Sequence, residues 1–344
     1  MGVPSILTKT YRNFFVRKAG RTVLTIFIVA TVTFFIVRLM PGNPIDIYIS
    51  QLISTQGLSY QEAKQMALAM FSIDLDAPLH EQYGRFIWNV LHGDLGISIT
   101  SPGTPVGKMI VAFLPWTLFT VSLSLFTSFA IGMALGMVMA YHRGGIVDKI
   151  STGFCTVMSA VPNYIVGILI IVFIGIQLNL YPLELMRGAY TSTIKPGFTV
   201  EFVVDVLKHV IWPYATYVLC TFGGWALSMK ANTISTLGED FITVAKAKGL
   251  KDSRITFSYV GRNAMLPLFT SLTISFGFIF GGSLLIETIF VYRGLGWLLW
   301  SAIGERDYPV MQAVFLIMTV AVVASVTLAD ILYALIDPRV RRGE

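Results

Sequence analysis

Six apolar stretches constrain the fold of this chain more than any other feature of its sequence. They lie at 21–40, 113–140, 150–178, 210–229, 266–290 and 310–336. A helix needs roughly 20 apolar residues to cross a bilayer, so each stretch is long enough to span one. The composition agrees, because only 13% of the residues are charged, whereas a soluble domain carries about 25%. The sequence therefore predicts an all-α integral membrane protein with six transmembrane helices.

The distribution of charge predicts which side each segment faces. If the N-terminus lies inside, the inner segments hold many more Lys and Arg than Asp and Glu, and the outer segments hold more acids. Positive charge concentrates on the cytoplasmic side of membrane proteins, so we expect both termini in the cytoplasm. The first apolar run is too long for a signal peptide and ends at Pro41-Gly42-Asn43-Pro44, so we interpret it as a retained span. The net charge of +6 then reflects topology, and we expect no nucleic acid partner.

A long outer segment separates the first two apolar stretches. It covers 41–112, which is longer than a simple connection requires. Helical, amphipathic patterns occur at 58–71 and 79–91, and Tyr83 and Trp88 suit a membrane–water interface. We therefore expect this segment to fold over the outer mouth of the protein.

The most distinctive polar segment covers 239–267, between two apolar stretches. Glu239 and Asp240 suit the positive N-terminal end of a helix, and two lysines suit its last turn. Gly249 then supplies the residue that can take a left-handed conformation and end the helix. The pattern predicts a short helix followed by a glycine elbow.

A second short helix is expected after the elbow. Asp252 or Ser253 can cap its first turn, and it runs towards Gly261. Ala245 and Ala247 have small side chains that project little from one face of the first helix, so another protein could approach this face closely. On physical grounds alone, an ordinary basic cytoplasmic loop is an equally good interpretation.

The letters of this segment resemble the EAA loop of ABC importer permeases. AKAKGL followed by RNAMLP is similar to the form found in the dipeptide/oligopeptide class. Thr243 and Val244 stand where the general pattern has Glu and Ala, and the Leu-Pro pair comes a few residues later. Both departures are typical of the peptide-type branch.

Other motifs extend the resemblance from 38 to 341. RLMPGNP, which begins at Arg38, and GDLGIS, which begins at Gly93, resemble signatures of the B-type permease subunit. The segment ETIFVYRGLGWLLWSAIGERDYPV and the closing DILYALIDPRVR are similar to further segments of the same family. The resemblance implies a type I ABC importer permease fold with a large folded outer loop after the first helix.

This fold implies four parts of the chain. They are an N-terminal cytoplasmic tail with the first helix at 1–40, an external loop region at 41–112, a transmembrane core at 113–336 with the coupling loop at 239–267, and a cytoplasmic C-terminal tail at 337–344. In this family the loop docks a short coupling helix into a cleft of the ATPase subunit. The implied coupling residues are Ala245, Lys246, Ala247, Lys248, Gly249, Leu250, Lys251, Asp252, Ser253, Arg254 and Ile255.

Four residues are candidates for the pathway or its gate. Pro162 and Asn163 interrupt the third apolar stretch, and the resemblance implies that this kink lines the pathway; a mere kink is the alternative. An ionisable residue at membrane depth is a functional candidate, which applies to Asp330. Its other interpretation is an anchor that pairs with Lys230 at the inner face.

The resemblance also implies a function and a set of partners. We expect a permease subunit of an ATP-driven importer of dipeptides or oligopeptides in the cytoplasmic (inner) membrane of a prokaryote. The implied partners are a homologous C-type permease, two ATP-binding subunits, an external substrate-binding protein and membrane lipid. Relatives within the family carry nickel, oligosaccharides, glutathione or antimicrobial peptides, so the substrate stays open.

The chain itself has no recognisable catalytic motif. It contains no GxxxxGK[ST] loop with which to hold nucleotide phosphates, so we expect no bound cofactor and assign ATP and Mg²⁺ to the partner ATPases. Its four histidines are dispersed and suit no metal site. The alternatives are a secondary transporter, which would need several ionisable residues within its spans, and a membrane-embedded enzyme, which would need a catalytic cluster.

Overall fold

The computed structural model of the protein describes residues 5–40, 44–71, 77–279 and 284–336. Within these ranges the chain is helical, and no strand forms beyond an isolated bridge between Ile97 and Pro105. The all-α prediction is therefore confirmed for this part of the chain. In order, the α-helices are α1 Ser5–Leu39, α2 Pro44–Gln56, α3 Tyr60–Phe71, α4 Leu79–Leu91, α5 Val106–Tyr141, α6 Ile146–Ala160, α7 Asn163–Ile170, α8 Val200–Leu237, α9 Asp240–Ala247, α10 Asp252–Arg254, α11 Arg262–Ile279, α12 Leu284–Ile289, α13 Leu295–Glu305 and α14 Tyr308–Ile336.

Three helical segments in the described ranges are long and apolar enough to cross a membrane. They are Lys18–Leu39, Val106–Tyr141 and Tyr308–Asp330, and they correspond to the first, second and sixth predicted stretches. The fourth stretch lies within α8, where Tyr, Trp, Thr and Gly lower the mean hydropathy. The fifth lies within α11 and α12, on either side of residues outside the described ranges. Neither of these two stretches is a described helix that is both long and apolar enough to cross a membrane. The count of six spans therefore stays a prediction.

The third predicted stretch is a bent pair of helices. It begins with α6, which ends at Ala160, and continues in α7 and a π-helical turn at Ile171–Gln177. The two halves meet at an angle of 96°. The predicted interruption at Pro162 is confirmed, because proline cannot continue the hydrogen-bond ladder of α6. This stretch is a fourth span only if both halves are counted together.

Residues 44–71 and 77–112 pack onto the C-terminal part of the chain. The helices expected at 58–71 and 79–91 are present as α3 and α4, and α2 was not anticipated. Buried side chains of α2, α3 and the start of α5 share one apolar core with α13 and α14. This core includes Ile49, Leu52, Ala63, Ile99, Val106, Leu298, Tyr308 and Val314.

A capping box starts α3. The Ser59 backbone N–H donates to Glu62 at 3.0 Å, and the Glu62 backbone N–H donates back to the Ser59 hydroxyl at 3.3 Å. These two bonds satisfy two backbone donors that a helix start leaves open. Hydrogen bonds from Ser59 to the carboxylate also lower the pKa of Glu62.

Glycines allow α8 to pack closely between α5 and α6. A Cβ atom added at Gly136 of α5 would overlap the Ala226 carbonyl oxygen, and one added at Gly132 would overlap Cβ of Trp225. On the other side of α8, a Cβ added at Gly223 would lie 2.6 Å from the Cys155 carbonyl oxygen of α6. Gly132 and Gly136 are four residues apart and form a small-xxx-small pair on one face of α5, which permits this close approach of the two backbones.

Adjacent glycines in α8 give a matched test of this packing. Gly223→Ala should destabilise the protein by about 1–3 kcal/mol, because the new methyl group meets a backbone oxygen that cannot move aside. Gly224→Ala should be neutral or slightly stabilising: nothing lies within 4 Å of its added Cβ, and alanine is the better helix former. Thermal unfolding of the purified chain in detergent compares the two variants. Equal losses of stability would contradict close packing at Gly223.

Candidate functional site

The segment after α8 forms the predicted helix and glycine elbow. Helix α9 starts at Asp240 and ends at Ala247, and Gly249 has a positive φ of 70°. The Gly249 N–H donates to the Lys246 carbonyl at 2.9 Å, and the Leu250 N–H donates to the Ala245 carbonyl at 3.4 Å. These two bonds form a Schellman motif, which ends a helix at a left-handed residue. The predicted helix end is therefore confirmed.

A small apolar core holds the elbow in shape. Ile242, Ala245, Ile255 and Val260 are buried together, with partly buried Leu250 packed against them among others. Ala245 is only 3% exposed, so the prediction that it lies on a face open to another protein was wrong. Helical spacing could not show this, because small and apolar residues occur on both sides of α9 and the inner side is set by the next helix.

The second helix starts one residue earlier than expected and continues further. Its N-cap is Lys251, and no side-chain oxygen caps its first turn, so the prediction of Asp252 or Ser253 as the cap was wrong. After α10 the chain forms a π-helical turn at Ile255–Gly261 and enters α11 without a break. The elbow therefore connects two long helices, α8 and α11.

The solvent-exposed side of the elbow combines apolar and basic side chains. We call this side the elbow surface. Phe241 is 40% exposed, Val244 52% and Phe257 69%. Four basic residues are exposed beside them: Lys246, Lys248, Lys251 and Arg254. Aromatic side chains near positive charge suit a protein partner with an apolar, acidic cleft. The surface can dock another protein and contains no nucleophile–base pair.

The predicted coupling residues thus divide into two groups. Ala245, Leu250 and Ile255 face the core of the elbow, at least in part. Seven other predicted coupling residues are exposed: Lys246, Ala247, Lys248, Gly249, Lys251, Asp252 and Arg254. The side chain of Ser253 lies outside the described residues. The first group shapes the elbow, and the second is available for contact.

The two ionisable pathway candidates do not pair with each other. Lys230 Nζ lies 2.5 Å from a carboxylate oxygen of Asp148 and donates to the Thr152 hydroxyl at 2.9 Å. Asp330 pairs with Lys18 of α1. The expected Lys230–Asp330 pair is therefore wrong: α8 packs against α6, and α14 packs against α1. Asp148 was not predicted as the partner of Lys230. Its position at the start of an apolar stretch was a usable signal, because a carboxylate there needs a partner.

Exchange of charges should separate these two pairings. Lys230→Asp combined with Asp148→Lys should recover stability lost by either single variant, because the reversed pair restores the contact between α6 and α8. Lys230→Asp combined with Asp330→Lys should show no recovery. Thermal unfolding of the singles and doubles yields the two coupling energies. Coupling of Lys230 to Asp330, and none to Asp148, would contradict this arrangement.

The kink candidates lie at the junction of α6 and α7. Pro162 is exposed and Asn163 is partly buried. The Pro162 carbonyl accepts a hydrogen bond from the Ile165 N–H at 3.0 Å, which helps to start α7. Their place on a pathway stays a prediction.

A buried carboxylate joins two of the sequence motifs. Asp307 is 1% exposed and accepts hydrogen bonds from the Ser98 hydroxyl, from Ile99 N at 3.1 Å and from Thr100 N at 3.2 Å. Ser98 belongs to the GDLGIS motif and Asp307 to ERDYPV. Both motifs are recognisable in the sequence, whereas their contact is not. This contact fixes the segment around GDLGIS to the start of α14.

A second buried carboxylate, Glu287, organises the start of α13. It is 1% exposed and accepts from the Thr117 hydroxyl at 2.8 Å and from the backbone N–H groups of Gly296 at 2.8 Å and Trp297 at 3.1 Å. A helix N-terminus stabilises a carboxylate through its open N–H groups and dipole. Glu287 therefore connects α12, α13 and α5.

Comparison with known proteins agrees with these features. The model of the family "Binding-protein-dependent transport system inner membrane component" matches residues 132–342. The oligopeptide transport system permease protein AppB of Bacillus subtilis is 31% identical over 323 residues, which cover 93% of this chain and 97% of that protein. The dipeptide transport system permease protein DppB of Escherichia coli K12 is 30% identical over 342 residues, covering 96% and 98%. The glutathione transport system permease protein GsiC of Pectobacterium atrosepticum is 30% identical over 329 residues, covering 96% and 99%.

Similarity at this level, over nearly the whole length of each relative, confirms the resemblance carried by the elbow, RLMPGNP and GDLGIS motifs. The chain therefore belongs to the family of binding-protein-dependent transport system inner membrane components.

Proposed function

We propose that this chain is one of two permease subunits of an ATP-driven importer for short peptides. The elbow surface carries the proposal, because it presents exposed aromatic and basic side chains on a rigid turn between two long helices. The relatives support the substrate class, because they are named as permeases of oligopeptide, dipeptide and glutathione transport systems.

The partners follow from this role. A second, C-type permease completes the translocation path. Each of two ATPase subunits binds the elbow of one permease. An external binding protein delivers the peptide to the outer mouth. This chain binds no cofactor, whereas the ATPases bind ATP and Mg²⁺.

The contacts around the elbow explain how a movement of the ATPase reaches the membrane helices. The elbow core contacts Leu237 at the end of α8, and the Asn232 side chain of α8 donates to the Ala264 carbonyl of α11 at 3.2 Å. Lys230 connects α8 to α6 through Asp148. A displacement of the elbow therefore moves α8 and α11 together, and α6 with them, as alternating access requires.

Reconstitution tests the function. The full chain alone in liposomes should show no ATP hydrolysis, since it lacks a phosphate-binding loop. Addition of its C-type partner and ATPases should give hydrolysis that peptide-loaded binding protein stimulates, with uptake of the peptide. Peptide uptake by the chain alone, driven by an ion gradient, would contradict the proposal and favour a secondary transporter.

Six spans with both termini in the cytoplasm are part of the proposal. Cysteine introduced at Ser192 should react with a membrane-impermeant thiol reagent in intact cells, because 192 lies in an outer loop. Cysteine at Ser253 should react only after the membrane is opened. Each variant needs a Cys155→Ala, Cys220→Ala background, since both native cysteines are free. Reaction of both positions from the same side would mean that a span has been miscounted.

A further inference from the structure

A polar cavity lies where the C-terminal end of α1 meets α4 and α14. Its volume is about 130 Å³, and its lining includes Arg38, Arg85, Asn89, Asp94 and Gln312. A single water needs only about 10–15 Å³ of such space, so the cavity accommodates a ligand of several heavy atoms. Arg85 and Asn89 are exposed, so the cavity opens to the surface between them.

Arg38 presents an uncompensated positive charge to this cavity. Its guanidinium carbon lies 5.5 Å from the ring centre of Phe34 and 5.6 Å from that of Tyr308. Its Nε and Nη1 atoms are buried and have no hydrogen-bond acceptor in the described part of the chain. The two rings stabilise the cation but do not replace the missing acceptors. A desolvated cation of this kind is costly unless an anion pairs with it.

Gln312 adds a second donor. Its side chain is 6% exposed, and its Nε2 amide has no acceptor among the described residues. Buried amide groups are nearly always hydrogen-bonded. Arg38 and Gln312 come from opposite ends of the sequence and line one cavity, so their open donors can converge on one acceptor-rich group.

The other charged groups at the cavity, Asp94 and Arg85, lie on its exposed side. Asp94 is exposed, and its carboxylate already accepts from the Gly96 N–H at 2.9 Å. Arg85 lies 3.5 Å from Glu81 on the exposed side of α4. Buried Gln82 also lines the cavity and donates through Nε2 to the Ala77 carbonyl at 2.8 Å. The charge nearest the buried end of the cavity is therefore the Arg38 cation, whose open donors fit an oxyanion.

We infer that this cavity binds the phosphate of an anionic phospholipid headgroup. The surroundings favour lipid over a free anion, because Ile36 and Leu39 beside Arg38 are 59% and 74% exposed and Trp88 of α4 is 65% exposed. Exposed apolar residues of a spanning helix contact acyl chains, tryptophan marks the headgroup level, and basic pockets between such helices bind headgroups. On the proposed topology this headgroup belongs to the outer leaflet, whereas binding itself does not depend on transport.

Lipid retention by the full chain tests the inference. Native mass spectrometry in a neutral detergent should show phosphatidylglycerol bound in preference to phosphatidylcholine. Arg38→Gln should weaken phosphatidylglycerol binding by about tenfold or more, because charge-assisted hydrogen bonds are lost. Gln312→Glu should have the same effect, because it places a carboxylate in the cavity next to Arg38 and excludes the phosphate. If Arg38→Gln fails to fold, Gln312→Glu still gives the answer.

Arg293→Gln is the matched control, since it removes one exposed arginine outside the cavity and should leave lipid binding unchanged. Thermal shifts with inorganic phosphate, glycerol phosphate and phosphatidylglycerol separate a free anion from a lipid. Stabilisation by the lipid alone supports the inference. Equal stabilisation by inorganic phosphate, or unchanged lipid preference in both cavity variants, would overturn it.

Discussion

Gly249→Val should lower transport by about tenfold or more while leaving the chain inserted in the membrane. Gly249 has a φ of 70°, a conformation that costs an ordinary residue about 1–2 kcal/mol and a β-branched residue more. Strain of this size lowers the ratio of the native elbow to its alternative conformations by about tenfold or more. Nothing lies within 4 Å of a Cβ added at this position, so the effect comes from the backbone alone.

Gly249→Asn is the matched control, because asparagine tolerates the left-handed conformation. It should retain most peptide uptake and most stimulated ATP hydrolysis, whereas Gly249→Val should lose both by about tenfold or more. Cysteine at Lys251, next to the elbow, should cross-link to the ATPase in the parent and the asparagine variant but poorly in the valine variant. Normal uptake by Gly249→Val would show that the elbow does not couple the permease to the ATPase.

Asp307→Ala should destabilise the protein strongly. It leaves the Ser98 hydroxyl and the N–H groups of Ile99 and Thr100 without the acceptor they have in the native protein. Ser98 and Ile99 are buried, and each buried donor without a partner costs about 1–3 kcal/mol, so we expect a loss of about 3 kcal/mol or more. The segment around GDLGIS should also become sensitive to protease, because its attachment to α14 is lost.

Asp94→Ala provides the comparison within the same motif. Asp94 is exposed and accepts one hydrogen bond, from Gly96, so its removal should cost less than about 1 kcal/mol. Asp307→Asn should fall between the two, because it keeps one acceptor oxygen but loses the charge. Thermal unfolding and limited proteolysis of the three variants give the ranking. Equal stability of Asp307→Ala and Asp94→Ala would contradict a structural role for the buried carboxylate.

Local physical chemistry made several features predictable from the sequence. Length and hydropathy predicted the all-α class, because only a helix satisfies its own backbone groups within a bilayer. Gly249 was predictable because glycine alone adopts a positive φ at little cost. Pro162 was predictable as a break because proline lacks the N–H that a helix needs. Each of these depends on a residue and its immediate neighbours.

Tertiary structure alone decided which distant residues meet. The sequence offers Lys230 as a partner for Asp330, yet α6 brings Asp148 to Lys230 and α1 brings Lys18 to Asp330. Asp307 finds its donors about two hundred positions earlier in the chain. Charge complementarity is nearly the same for every acid–base combination, so it does not select a pair. The selection comes from which helices pack together, and in this chain close contacts at glycines such as Gly136 and Gly223 determine that packing.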